Sequence, residues 1–159
     1  MAEQPRFDPI RILQALDRHR VNYVVVGALA RVIQGAEEVT DGLDITPSMH
    51  PENLRRLEQA LVDLNATTPD GKPSSLTDDT SLVEFATERG ELKLVPRPAG
   101  TRGYDDLRRA ASREPLGSGV RPSVASLGDL ARMLAASDRE GDLARLHSLR
   151  RLAELDRVR

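Results

Sequence analysis

Val24-Val25-Val26-Gly27-Ala28, followed by Thr40-Asp41-Gly42-Leu43-Asp44-Ile45, is the stretch whose reading decides the fold. The β-branched run after Asn22-Tyr23 predicts a short strand buried on both faces, and Gly27 ends it. Ala28 to Gln34 reads as a short helix closed by Gly35 as a C-cap. Leu43-Asp44-Ile45-Thr46 reads as a second strand, stopped by Pro47. On a regular strand, positions 42 and 44 share a face, whereas Asp41 points to the other. Only a bulge at Gly42 would swing Asp41 back beside Asp44.

Working outward, Asp8-Pro9 is a capping acid followed by proline at the first helical position. Ile10, Ile12, Leu13 and Leu16 carry helical spacing over Pro9 to Arg20. Pro51-Glu52-Asn53 opens an amphipathic helix with Leu54, Leu57, Leu61 and Leu64 on one face. Residues 66–79 are rich in Thr, Pro, Asp, Gly and Ser and read as a loop. Residues 82–86 and 91–95 read as strands of a hairpin joined by Thr87-Glu88-Arg89-Gly90. A short helix is expected over Tyr104 to Ser112, then a Gly/Pro-punctuated connection with room for an edge strand. Ser126-Leu127-Gly128-Asp129 is an acidic capping box. It opens a helix carrying Leu127, Leu130, Met133 and Leu134, and Leu143, Leu146, Leu149 and Leu152 mark the last one. The pattern predicts an α/β fold, a small mixed β-sheet with packed helices. It forms one domain over 1–159, with an N-terminal helix (1–21), an α/β core (22–125) and C-terminal helices (126–159).

Composition narrows the function classes. The chain has 159 residues and a formal net charge of -2, so no overall basic field favours nucleic acid. Cysteine is absent, which excludes thiolate metal sites and disulfides. His19, His50 and His147 are far apart, without ligand spacing. No apolar run approaches the roughly 20 residues of a membrane-spanning helix. Met1 to Phe7 is polar and lacks the apolar stretch of a signal peptide, so a cytoplasmic protein without membrane association is expected. Arg145, Arg150, Arg151, Arg157 and Arg159 offer a nucleic-acid surface, but the interspersed acids favour a solvated helical face.

Strand, glycine turn, short helix and acid-bearing strand together resemble the nucleotidyltransferase superfamily (the DNA polymerase β type of fold), most closely its AbiEii/MenT-like toxin branch. In that branch a Gly-Ser or Gly-Gly turn is followed by Thr-x-Asp-x-Asp, and the two aspartates hold catalytic metal. Gly27, Ala28 and Thr40 stand where the resemblance implies nucleotide binding, although Ala28 lacks a hydroxyl. Asp44 matches the second aspartate, and Gly42 stands in place of the first. A third family acid, in Gly-x-Leu-Asp-Leu-Val, is matched by Gly90-Glu91-Leu92-Lys93-Leu94-Val95, with Lys93 in its place. Ser126 to Met133 follows the branch's C-terminal pattern, but Leu134 stands where a phosphate-contacting lysine is expected.

Two carboxylates can clamp a metal pair that activates the nucleophile and neutralises the triphosphate. Asp44 alone beside an ammonium makes a poor Mg²⁺ site, and Lys93 is expected to pair with Asp44. The resemblance therefore implies a catalytically degenerate nucleotidyltransferase-like protein, a pseudoenzyme without a cofactor. It would act by binding a nucleoside triphosphate or a protein partner, with a link to toxin–antitoxin systems. The alternative is an active Mg²⁺-dependent nucleotidyltransferase that modifies RNA, with tRNA the first candidate, through Asp41, Asp44 and Glu91.

Overall fold

Asp8 caps the first helix, α1 (Pro9–Arg18), accepting from the Arg11 backbone N–H at 3.2 Å. Ile12, Leu13, Ala15 and Leu16 form its buried face. The helix ends two residues earlier than the sequence spacing predicts, because Arg20 turns to a positive φ of 56°. This is a computed structural model, which describes residues 6–70 and 75–158, with side chains as far as Asp156.

The chain continues as β1 (Tyr23–Val26), α2 (Gly27–Ile33), β2 (Gly42–Pro47) and α3 (Pro51–Asp63). Every β1 residue is buried, as a β-branched strand covered on both faces should be. The expected loop 66–79 is irregular where described, apart from a bridge between Thr67 and Ala86 on the next strand. The hairpin is β3 (Val83–Thr87) and β4 (Gly90–Leu94), and α4 spans only Tyr104–Leu107. The predicted helix to Ser112 thus stops after one turn, and Ser112–Arg113 is drawn into the sheet as edge strand β5. Its partner β6 (Ser123–Val124) follows, then α5 (Leu127–Ala136) and α6 (Asp142–Val158). The Ser126 half of the expected capping box forms, its Oγ accepting from the Asp129 N–H at 3.0 Å, while the Asp129 carboxylate accepts from Arg132 at 3.1 Å.

Among the described residues, six strands form one mixed sheet in the order β3-β4-β2-β1-β6-β5. β1 runs antiparallel to β2 and parallel to β6, and β2 runs parallel to β4. Alternation places Leu43, Ile45, Leu92, Leu94 and Phe85 on one face, all buried. The opposite face carries a row across four strands. Val26 stands opposite Asp44, Asp44 opposite Lys93, and Lys93 opposite Glu84. The α/β class and the mixed sheet agree with the sequence reading.

Candidate functional site

The polar row opens into a cleft of about 290 Å³ at the end of β1 where α2 begins. Gly27, Ala28, Thr40, Asp41, Gly42, Asp44, Glu91 and Lys93, the residues singled out from sequence, all line it. A larger cavity of about 750 Å³ lies at the other end of β2 and β4. It contains none of those residues, so the smaller cleft is the candidate site.

Gly27 has a φ of +72°, and a Cβ there would run into the Asp44 carboxylate. The turn therefore needs glycine twice over, for its backbone angle and for the acid resting on it. The Thr40 hydroxyl is already used locally, donating to the Gly42 carbonyl at 2.9 Å. Gly42 pairs with Glu91 in the β2–β4 ladder, which runs on regularly to Ile45. No residue is inserted at Gly42, so the bulge that would swing Asp41 back does not form. Asp41 sits at an exposed bend before the strand and reaches the cleft rim from there.

Lys93 lies directly across from Asp44, yet its ion pair is with Glu84 Oε1, at 3.6 Å. This corrects the expected Lys93–Asp44 pair. Antiparallel pairing sets Glu84 opposite Lys93 on β3, and the ammonium turns to that outer carboxylate. The Asp44 carboxylate makes neither a hydrogen bond nor an ion pair among the described residues. Burial pushes its carboxyl above the ordinary range; Lys93, Arg139 and Arg31 draw it back, and Glu84 adds to the push. With its folded pKa raised, Asp44 costs stability when ionised, and that cost is absent below the unfolded pKa and present above the folded one. Asp44→Asn is therefore expected to stabilise the protein at neutral pH, by a margin that shrinks as urea midpoints are taken into acid.

Sequence reading missed the far wall of the cleft. Arg31 of α2 grips Glu38 bidentately at 2.7 and 2.9 Å, and Arg145 of α6 reaches the same carboxylate at 3.5 Å. Arg145 also donates to Asp142 at 2.8 Å, and Asp142 accepts from the Ser137 hydroxyl at 2.6 Å. Burial pushes the Asp142 carboxyl up, but these two donors and the nearby arginines hold it below the ordinary range. The network ties the C-terminal helices to the cleft. Since the Arg31 and Glu38 side chains are only 12% and 18% exposed, Glu38→Ala would strand a guanidinium out of water and is expected to cost about 2 kcal/mol. Urea unfolding, completed as a double-mutant cycle with Arg31→Ala, measures it. Arg31 and Glu38 lie close in sequence, but no local motif announces the Arg145–Glu38 contact, made across more than a hundred residues of chain.

The donor set does not suit Mg²⁺. Among the described residues no group of three His, Cys, Asp or Glu side chains is arranged to hold a metal ion. Gly42 offers no oxygen beyond its backbone, Glu84 is engaged by Lys93, and the ammonium stands between Asp44 and Glu84 in the row. Leu134, at the expected phosphate-contacting position, is buried in the core at 5% exposure. Arg150 and Arg151 lie exposed on α6, while the Arg157 side chain and Arg159 fall outside the described residues. Among the described residues no helix is long and apolar enough to cross a membrane.

Solved structures share the whole architecture. The lincosamide antibiotic adenylyltransferase LnuA, solved with lincomycin bound, is similar at a TM-score of 0.61 and 16% identity, over 92% of this chain and 99% of its own. A nucleotidyltransferase fold it is. A putative nucleotidyltransferase from Thermotoga maritima is similar at a TM-score of 0.58 and 16% identity, covering 98% of both chains. No protein-family model matches the sequence, and no curated protein does.

Proposed function

We propose that this protein acts by binding, as a nucleotidyltransferase-fold chain that has given up metal-dependent nucleotidyl transfer. The observation that carries the reading is Lys93, which stands in register between Asp44 and Glu84 and pairs with Glu84 at 3.6 Å. A divalent ion there would meet an ammonium in place of a carboxylate, and Coulomb repulsion in a partly buried cleft is weakly screened. A nucleoside triphosphate without metal fares little better. The cleft lining carries six carboxylates (Glu38, Asp41, Asp44, Glu84, Glu91 and Asp142) against four cations (Arg31, Lys93, Arg139 and Arg145). Its surplus is thus two negative charges, which disfavours a polyanion. A protein partner is the better fit, and the resemblance to the toxin branch supports one drawn from a toxin–antitoxin pair.

Incubating the protein with labelled nucleoside triphosphates and total RNA, in Mg²⁺ and in Mn²⁺, is expected to give no incorporation. Incorporation that disappears in Asp44→Ala would restore the enzyme reading, with Asp41, Asp44 and Glu91 holding the metal. That second reading draws on one fact, that all three acids line the same cleft. LnuA was solved with lincomycin, so a small-molecule acceptor belongs in the same assay beside RNA and tRNA.

A further inference from the structure

We propose that the cleft receives a basic segment of a protein partner, with an arginine or lysine side chain entering toward Asp44 and an apolar residue resting on Val39. The inference rests on the binding reading above and names the chemistry of the occupant.

Charge is the first observation. Lys93 is taken up by Glu84, while Arg31 and Arg145 are taken up by Glu38 and Asp142. Among the described residues, the cleft groups left without an ion pair are Asp41, Asp44, Glu91 and Arg139. Three anions against one cation make the open part of the cleft attract a positive group and repel a phosphate. Shape is the second. At about 290 Å³ the cleft lies at the small end of ligand sites, which run from roughly 300 to 1,000 Å³. A long side chain presented by another surface fits such a space.

The rim supplies the third observation, independent of charge. Val39 lines the cleft and is 99% exposed, the most exposed large apolar side chain of the described residues. A bare apolar side chain on the edge of a charged cleft has the make-up of a partner surface, in which apolar anchors sit next to charges that steer and orient. A basic segment with an apolar neighbour answers both. RNA, a polyanion, answers neither.

The test uses fluorescence anisotropy in EDTA at low salt. Its probes are a labelled peptide of alternating leucine and arginine, a matched leucine–glutamate peptide, and inorganic tripolyphosphate as competitor. The basic peptide is expected to bind and the other two are not. Binding should weaken about ten-fold in the double variant Asp41→Asn/Asp44→Asn, as loss of facing charges at an interface does, and also in Val39→Ser. It should stay unchanged in Asp78→Asn/Asp79→Asn, which removes equal charge from the cavity at the opposite end of the sheet. Unfolding midpoints of each variant show that the fold persists. Peptide binding indifferent to the cleft variants would overturn the proposal, as would metal-free tripolyphosphate or RNA binding that is lost in Arg139→Ala. The underlying reading fails separately, through nucleotide incorporation that depends on Asp44; absence of both incorporation and peptide binding sinks this inference alone.

Discussion

The double variant Gly42→Asp/Lys93→Asp is expected to bind Mn²⁺ at least a hundred-fold more tightly than the native chain, because it sets four cleft carboxylates on two adjacent strands where the native chain sets two, Asp44 and Glu91. The backbone is ready for it. Gly42 has no positive φ, and a Cβ there would meet the Glu91 Cβ at 3.3 Å, a contact that a shift of a few tenths of an ångström relieves. Residues 42 and 44 share a face, and position 93 lies opposite 44 in the parallel ladder. Removing Lys93 also frees Glu84 from its ion pair. Isothermal titration with Mn²⁺ decides the matter. Each single variant should gain far less, since Gly42→Asp leaves the ammonium in place and Lys93→Asp leaves the first position empty. If the double variant binds no better than the native protein, the cleft is closed to metal for a reason other than these two side chains.

Gly27→Ala should be the most damaging single substitution in the site, with a loss of about 3 kcal/mol. A non-glycine residue at positive φ costs on the order of 1–2 kcal/mol. The added Cβ must also displace the Asp44 carboxylate, which lies directly over Gly27. In a chain of this size the loss corresponds to a fall in Tm of roughly 6–12 °C. Adding Asp44→Gly removes the collision and leaves the backbone cost, so the double variant should recover about half of the lost stability. If Gly27→Ala is neutral, the turn does not hold the conformation described here, and Asp44 does not rest on it.

These two positions also show how far the site was legible before the fold was known. The polarity of the row could be read locally. A hairpin whose turn pairs Thr87 with Gly90 must place Ala86 against Glu91 and Glu84 against Lys93, so the Lys93–Glu84 bridge follows from the turn and the alternation of side chains. The sequence reading stopped short of that step and paired Lys93 with Asp44. Which carboxylate the lysine takes depends on the packing of three strands, and residues 44 and 93 are brought together by a parallel pairing that no turn fixes.

Local chemistry determined the rest of what was read correctly. The β-branched run made β1, Asp8-Pro9 and Ser126 to Asp129 opened their helices, and Gly27 followed by an acidic strand marked the fold. Side-chain preference and spacing act within a few residues, so a sequence carries them in full. The wall of the cleft was decided only in three dimensions. Arg145 reaches the Arg31–Glu38 pair because α6 is packed back against this part of the fold, which depends on how apolar faces pack at long range. Tyr104 to Ser112, expected as a short helix, keeps only its first turn and its end becomes an edge strand, because pairing with β6 satisfies backbone groups there through the sheet.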